Sequence, residues 1–245
     1  ITITGAVDGV VFDNIGAHNM GGASVTFNNV TFEYGNENYK GLQHAGDMTY
    51  NDCTINGQVF LYGNSETFNN CTFNQTNSDA YNVWTYGAKK VDFNECTFNS
   101  AGKSVLIYSE QADLVNDVTV TKTSFNASAA VEGKAAIEMD SSLTAGINLA
   151  IDSETTATGF GTGNKSGNSL WNNKKGNDTE ANNDITVTVN DETVLEPVTL
   201  PIKVATKDEL VAAIANSTDG DRILLTADID YGTDHLEIKN AITLD

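Results

Sequence analysis

"VTFNNVTF" (25–32), "MTYNDCTI" (48–55), "ETFNNCTF" (66–73) and "VDFNECTF" (91–98) are four copies of one eight-residue pattern, and "VTVTKTSF" (118–125) is a degraded fifth. The third position holds Phe27, Tyr50, Phe68, Phe93 and then Val120, so the copies recur every 18 to 27 residues. Strand segments that repeat while their spacing drifts mark a solenoid whose loops differ from coil to coil. Inside each copy apolar residues alternate with polar ones, the period of a strand. Between Phe27 and Val30 the alternation slips by one residue, so the chain must bend there. The bend carries Asn28–Asn29, Asn51–Asp52, Asn69–Asn70 and Asn94–Glu95. Asn tolerates the left-handed backbone of such a corner. Stacking the copies aligns Asn28, Asn51, Asn69 and Asn94, whose amides are then expected to hydrogen-bond along the stack.

The position after the bend holds Val30, Cys53, Cys71, Cys96 and Thr123. Cys alternates here with Val and Thr, so it reads as a small buried residue. No Cys-x-x-Cys pair with nearby His points to a metal. A second set of strands lies between the copies: "GLQH" (41–44), "VFLY" (59–62), "VWTY" (83–86), "VLIY" (105–108), "AIEM" (136–139) and "SLWN" (169–172). Their large second residues, Leu42, Phe60, Trp84, Leu106, Ile137 and Leu170, are expected to point inward. The third residues, Gln43, Leu61, Thr85, Ile107 and Trp171, with Glu138 among them, are expected to face solvent. Strand, bend, strand, loop, strand, repeated, predicts an all-β parallel β-helix (β-solenoid). Its open ends need caps to prevent edge-to-edge growth.

Residues 202–245 read as a cap. Thr206 and Glu209 form the capping box T-x-x-E of a short helix, with Leu210, Val211 and Ile214 as its apolar face. "STDGDRILLTADI" reads as a turn and a strand, and "LEIKNAITLD" as a strand pair. The coils are assigned to 1–195, ending in the strand region "DITVTVNDETV" (184–194). Residues 196–201, which hold both prolines, are read as a linker.

The segments "YKGLQH", "GQVFLYG", "YNVWTYGAKKVDFNECTFNSAGKSVLIY", "EGKAAIEMD" and "GNSLWNNKKG" resemble a family of right-handed parallel β-helix proteins of Bacteroidales and other gut bacteria. The resemblance covers about residues 5–195. It implies a right-handed, pectate-lyase-like coil and an extracellular or cell-surface protein of adhesin type. In that family a segment similar to 203–245 comes first, whereas here it comes last. Three arrangements follow: one frame of a tandem array, a circular permutation, or a tail that completes the next subunit by strand donation. Each makes "ITLD" (242–245) and "ITIT" (1–4) neighbouring edges. The assembly residues are then Ile1, Ile3, Leu210, Val211, Ile214, Ile242 and Leu244.

The formal net charge is −20, with 33 acidic against 13 basic residues. That field repels nucleic acid and anionic lipid. No apolar run is long enough to insert in a membrane as a helix, and no signal peptide is visible, as in a mature fragment. Catalytic strings are missing: the one arginine is Arg222, and His18, His44 and His235 are scattered. Glu138 and Asp140 could pair as carboxylates but read better as a solvated outer column. No cofactor is expected. Calcium has oxygen ligands available but no loop motif. The resulting expectation is a non-catalytic structural and adhesive surface protein, self-assembling head to tail and binding glycans or a host surface protein. Its contacts would be Gln43, Leu61, Thr85, Ile107 and Trp171, with the loops 33–40 and 74–80. The competing expectation is a polysaccharide lyase or glycoside hydrolase on the same scaffold.

Overall fold

The computed structural model describes residues 1–7, 9–13, 17–33, 42–108, 114–140, 146–174, 184–197 and 201–245, with backbone alone for 13, 17–23, 42–45, 130 and 131. The chain divides into two compact units, 1–197 and 198–245.

The first unit is built from parallel strands on three faces. Face one holds Thr2–Thr4, residues 24–28 and 47–51, Ser65–Asn69, Lys90–Asn94, Val115–Thr121, Gly146–Ile151 and Ile185–Val189. Face two holds Val11–Asp13, Thr31–Glu33, Thr54–Asn56, Thr72–Gln75, Thr97–Ser100, Ser124–Val131 and Thr156–Phe160. Face three holds residues 17–19 and 42–44, Val59–Leu61, Val83–Trp84, Val105–Ile107, Ile137–Met139 and Trp171–Asn173. Each strand pairs in parallel with its counterpart one coil away, so the unit is an all-β, solenoid-like fold.

The eight-residue pattern sets the register. Phe27 pairs with Tyr50, Tyr50 with Phe68, Phe68 with Phe93 and Phe93 with Val120. Beyond the bend, Phe32, Ile55, Phe73, Phe98 and Phe125 continue in step. The rings stack: Tyr50 and Phe68 lie 4.6 Å apart at 6°, and Phe73 and Phe98 lie 4.4 Å apart at 2°. The slip in alternation is a left-handed residue at the bend of each copy, with φ of 52° at Asn29, 54° at Asp52, 50° at Asn70, 55° at Glu95 and 49° at Lys122. The expected amide ladder is present. Asn51 Nδ2 donates to Asn28 Oδ1 (2.8 Å), Asn69 to Asn51 (2.8 Å) and Asn94 to Asn69 (2.9 Å). A second ladder, on face two, runs through Asn56, Asn74, Asn99 and Asn126 and lies beyond what the bend pattern implies.

The three cysteines are buried and free. Cys71 Sγ approaches Tyr50 O (3.4 Å) and Cys96 Sγ approaches Phe68 O (3.4 Å), and Thr123 Oγ1 donates to Phe93 O (3.3 Å) in the same way. The column therefore takes any small side chain, and a thiol or hydroxyl there meets a carbonyl of the coil behind.

Face three runs with the opposite parity to that expected. Gln43 pairs with Phe60, Phe60 with Trp84, Trp84 with Leu106, Leu106 with Glu138 and Glu138 with Asn172. Phe60, Trp84 and Leu106 border an outer cleft, and their neighbours Val59, Leu61, Val83, Val105, Ile107, Ile137 and Met139 belong to the core. Ile137 stands one position from the column assigned to it, and Leu170 precedes its strand. With three successive apolar residues, as in Val59–Leu61, alternation carries no parity. Size decides instead, because on this face branched or small side chains fit the interior and large rings do not.

The last coil strand, Ile185–Val189, turns back through Asn190 (φ 54°) and Asp191 (φ 63°) into antiparallel Glu192–Leu195. Two positive φ values define the tight hairpin turn that Asn and Asp favour.

The second unit has its own core of Val204, Leu210, Ala213, Ile214 and Ile223, with Ile242 packed against it. Its helix spans Lys207–Asn216 behind the expected capping box. Val211 is 42% exposed, and Ala213 occupies the core position expected for it. Positions 211 and 213 flank the 210–214 stripe at equal angles of about 80° on opposite sides, and the core lies on the side of 213. Ile202–Val204, Arg222–Leu225 and Thr243–Leu244 form a parallel three-stranded sheet. The second strand expected within "LEIKNAITLD" does not form, and residues 236–240 are irregular.

Candidate ligand-binding cleft

Because face three carries large rings outward, they meet one another on the surface. Phe60 lies 5.6 Å from Trp84, Trp84 6.0 Å from Tyr108, Tyr86 5.6 Å from Tyr108 and Tyr62 5.3 Å from Tyr86. Tyr81 stands edge-on to Trp84 at 5.9 Å and 84°. With its amide oriented to satisfy both contacts, Gln58 accepts from Trp84 Nε1 (3.0 Å) and the Tyr81 N–H (3.1 Å), which fixes the indole from behind. The rings floor a cleft of 620 Å3, within the usual range for ligand sites.

Lys103, Lys134 and Lys174 line the same cleft with Asp140. Lys103 Nζ donates to Asp79 O (3.0 Å) and lies 5.7 Å from the Tyr81 ring centre. Burial, followed by the positive charge of Lys134, holds the Lys103 pKa below the ordinary lysine value, and Lys174 acts in the same direction. Lys174 Nζ pairs with Asp140 Oδ2 at 2.8 Å. In register with Leu106, buried Glu138 accepts from the Ala135 N–H (2.8 Å) and from Asn172 Nδ2 (3.1 Å). Glu138 is thus a buried, bonded group and not part of a solvated column. Glu138 and Asp140 are each engaged by other partners.

Comparison with protein-family models, with curated proteins and with solved structures gives no match.

The cleft differs from the contact set expected from sequence. Leu61, Thr85 and Ile107 are fully buried and point into the coil, so they are not surface contacts. Trp171 pairs with Ile137, is half-buried and packs against the core. Gln43 shares the register of Phe60, but its side chain lies outside the described residues, as do those of His18 and His44. Loop positions 34–40 also lie outside them. Of the 74–80 loop, Asp79 meets the cleft through its carbonyl. The signal that could have found the cleft is the Tyr62, Tyr86, Tyr108 column. A phenol column shares its face with the residues two positions earlier, which are Phe60, Trp84 and Leu106.

The assembly residues divide. Ile1 is 79% exposed, and Val211 and Leu244 are also exposed. Ile3 and Ile242 are partly buried against their own cores. Leu210 and Ile214 are buried inside the second unit and are not free to contact a neighbour, because the helix needs them for its own sheet. Among the described residues, Thr2–Thr4 and Thr243–Leu244 each have one strand partner. No group of three His, Cys, Asp or Glu suited to a metal occurs among the described residues.

Proposed function

We propose that this chain is a non-catalytic structural and adhesive β-helix protein of the cell surface or extracellular space, right-handed in its coil, that binds glycans through the face-three cleft. The observation that carries the reading is the partly exposed aromatic floor of Trp84, Tyr86, Tyr62 and Tyr108. Flat rings with polar tips are the usual platform for the apolar face of a sugar, and contiguous exposed apolar surface on a soluble fold marks an interaction site. The test is an immobilised-glycan screen of the intact chain against Trp84→Ala and Tyr86→Ala. Binding that both substitutions weaken by about tenfold or more supports the reading. Binding that neither changes overturns it.

Head-to-tail assembly is part of the same proposal. Among the described residues Thr2–Thr4 and Thr243–Leu244 are edge strands with one partner each, and a second copy could pair with their outer sides. Light scattering across a concentration series reads it: polymers that disappear on removing 198–245 support strand donation, and a strict monomer overturns it. A lyase is the second reading, favoured by one observation, the lowered pKa of Lys103 beside two other lysines. Absorbance of unsaturated product from acidic polysaccharides would reveal it.

A further inference from the structure

We infer that the cleft selects acidic polysaccharides, with the sugar ring on the aromatic floor and its carboxylate or sulfate among Lys103, Lys134 and Lys174. This rests on the reading of the cleft as a glycan site and names the class of glycan.

The argument is electrostatic. The chain carries 13 basic against 33 acidic residues, yet three lysines line one cleft. They are close enough that Lys134 and Lys174 both disfavour the charge on Lys103, while Asp79 favours it. Of the cleft-lining residues, Asp140 is the carboxylate, and it pairs with Lys174. Like charges gathered at a half-buried site cost free energy unless an anion joins them. A bound anion removes that cost, and the aromatic residues of the cleft stand beside it. Among the described residues, no arginine lines the cleft. Ammonium groups act as point charges and not as bidentate forks. The cleft therefore reads the charge of the sugar and does not separate carboxylate from sulfate.

The experiment uses the full chain and four probes: polygalacturonate, dextran sulfate, uncharged dextran and a panel of other neutral oligosaccharides. Affinity is read by isothermal titration or biolayer interferometry. Both polyanions are expected to bind at least about tenfold more tightly than any neutral glycan. That binding should weaken steeply when salt rises about tenfold from roughly 0.05 M, because screening shortens the range of the lysine field. Lys103→Gln and Lys134→Gln should each lose about tenfold for both polyanions, a larger loss than for any neutral glycan. Lys134→Arg should restore most of the loss. Melting temperatures check that the variants fold, and the salt dependence of the unaltered chain decides the matter if they do not. Equal affinity for neutral and acidic glycans, with no effect of either lysine substitution, overturns the inference and leaves the glycan cleft standing. Polyanion binding that ignores Trp84→Ala places the contact elsewhere and overturns both.

Discussion

At Glu66 a carboxyl group occupies an inward position where the adjoining coils carry Met48 and Val91. Burial raises its pKa well above the ordinary carboxyl value of 4.5, although the Gly63 and Tyr62 N–H groups pull it down. The folded protein thus holds this proton to higher pH than the unfolded chain does. The contribution to stability is complete below the unfolded pKa and is lost as pH rises toward the folded one. Glu66→Gln keeps the acceptor for the Gly63 N–H (3.0 Å) and removes the charge. The variant is expected to be more stable than the parent at neutral pH and to match it near pH 4, in urea unfolding at each pH. Parallel profiles for the two proteins would refute this. Neighbouring Cys71 is equally enclosed: the Cys53 and Cys96 thiols and then burial push its pKa up. All three thiols are expected to resist a thiol-specific reagent until the chain unfolds. Cys71→Val should cost less than about 1.5 kcal/mol, since Val30 fills the same column. That column was legible because Val, Cys and Thr interchange in it. Glu66 was not, because alternation marks which way a residue points and not what its carboxyl group will meet.

Among the elements, the bend between faces one and two is the most constrained. Asn69→Ala leaves Asn51 Oδ1 without its donor and Asn94 Nδ2 without its acceptor. A loss of roughly 1–3 kcal/mol is expected in thermal or urea unfolding. At Asn70, φ of 50° makes Gly acceptable, while Val should cost about 1–2 kcal/mol more. Gly63→Ala should be more damaging than either, because a Cβ there would lie 2.1 Å from the Gly46 carbonyl oxygen. These strands were readable because one side of the alternation is apolar and the other polar, which leaves one register. Face three was not, because Val59, Phe60 and Leu61 are apolar in succession, so two registers satisfy the same string. Ring size, and the tyrosines two positions on, separate them.

For the whole molecule, each unit has its own apolar core, of which Phe68 and Phe98 are members in one and Ile223 in the other. A fragment ending at Pro197 is therefore expected to unfold cooperatively by itself, with the circular dichroism of a β-protein; a featureless melt would contradict this. The lengths of the connections at the three corners point further. Faces one and two are joined by two residues in five coils, Asn29–Val30, Asp52–Cys53, Asn70–Cys71, Glu95–Cys96 and Lys122–Thr123, whereas the other two corners vary in length from coil to coil. The aromatic cleft lies on the face bounded by both variable corners. One margin works as an inextensible spine, and the cleft proposed for recognition lies on the side opposite it. Insertions that remodel the rim of the cleft leave the spine in register, so a chain built on this plan can change the surface it presents without relearning how to fold.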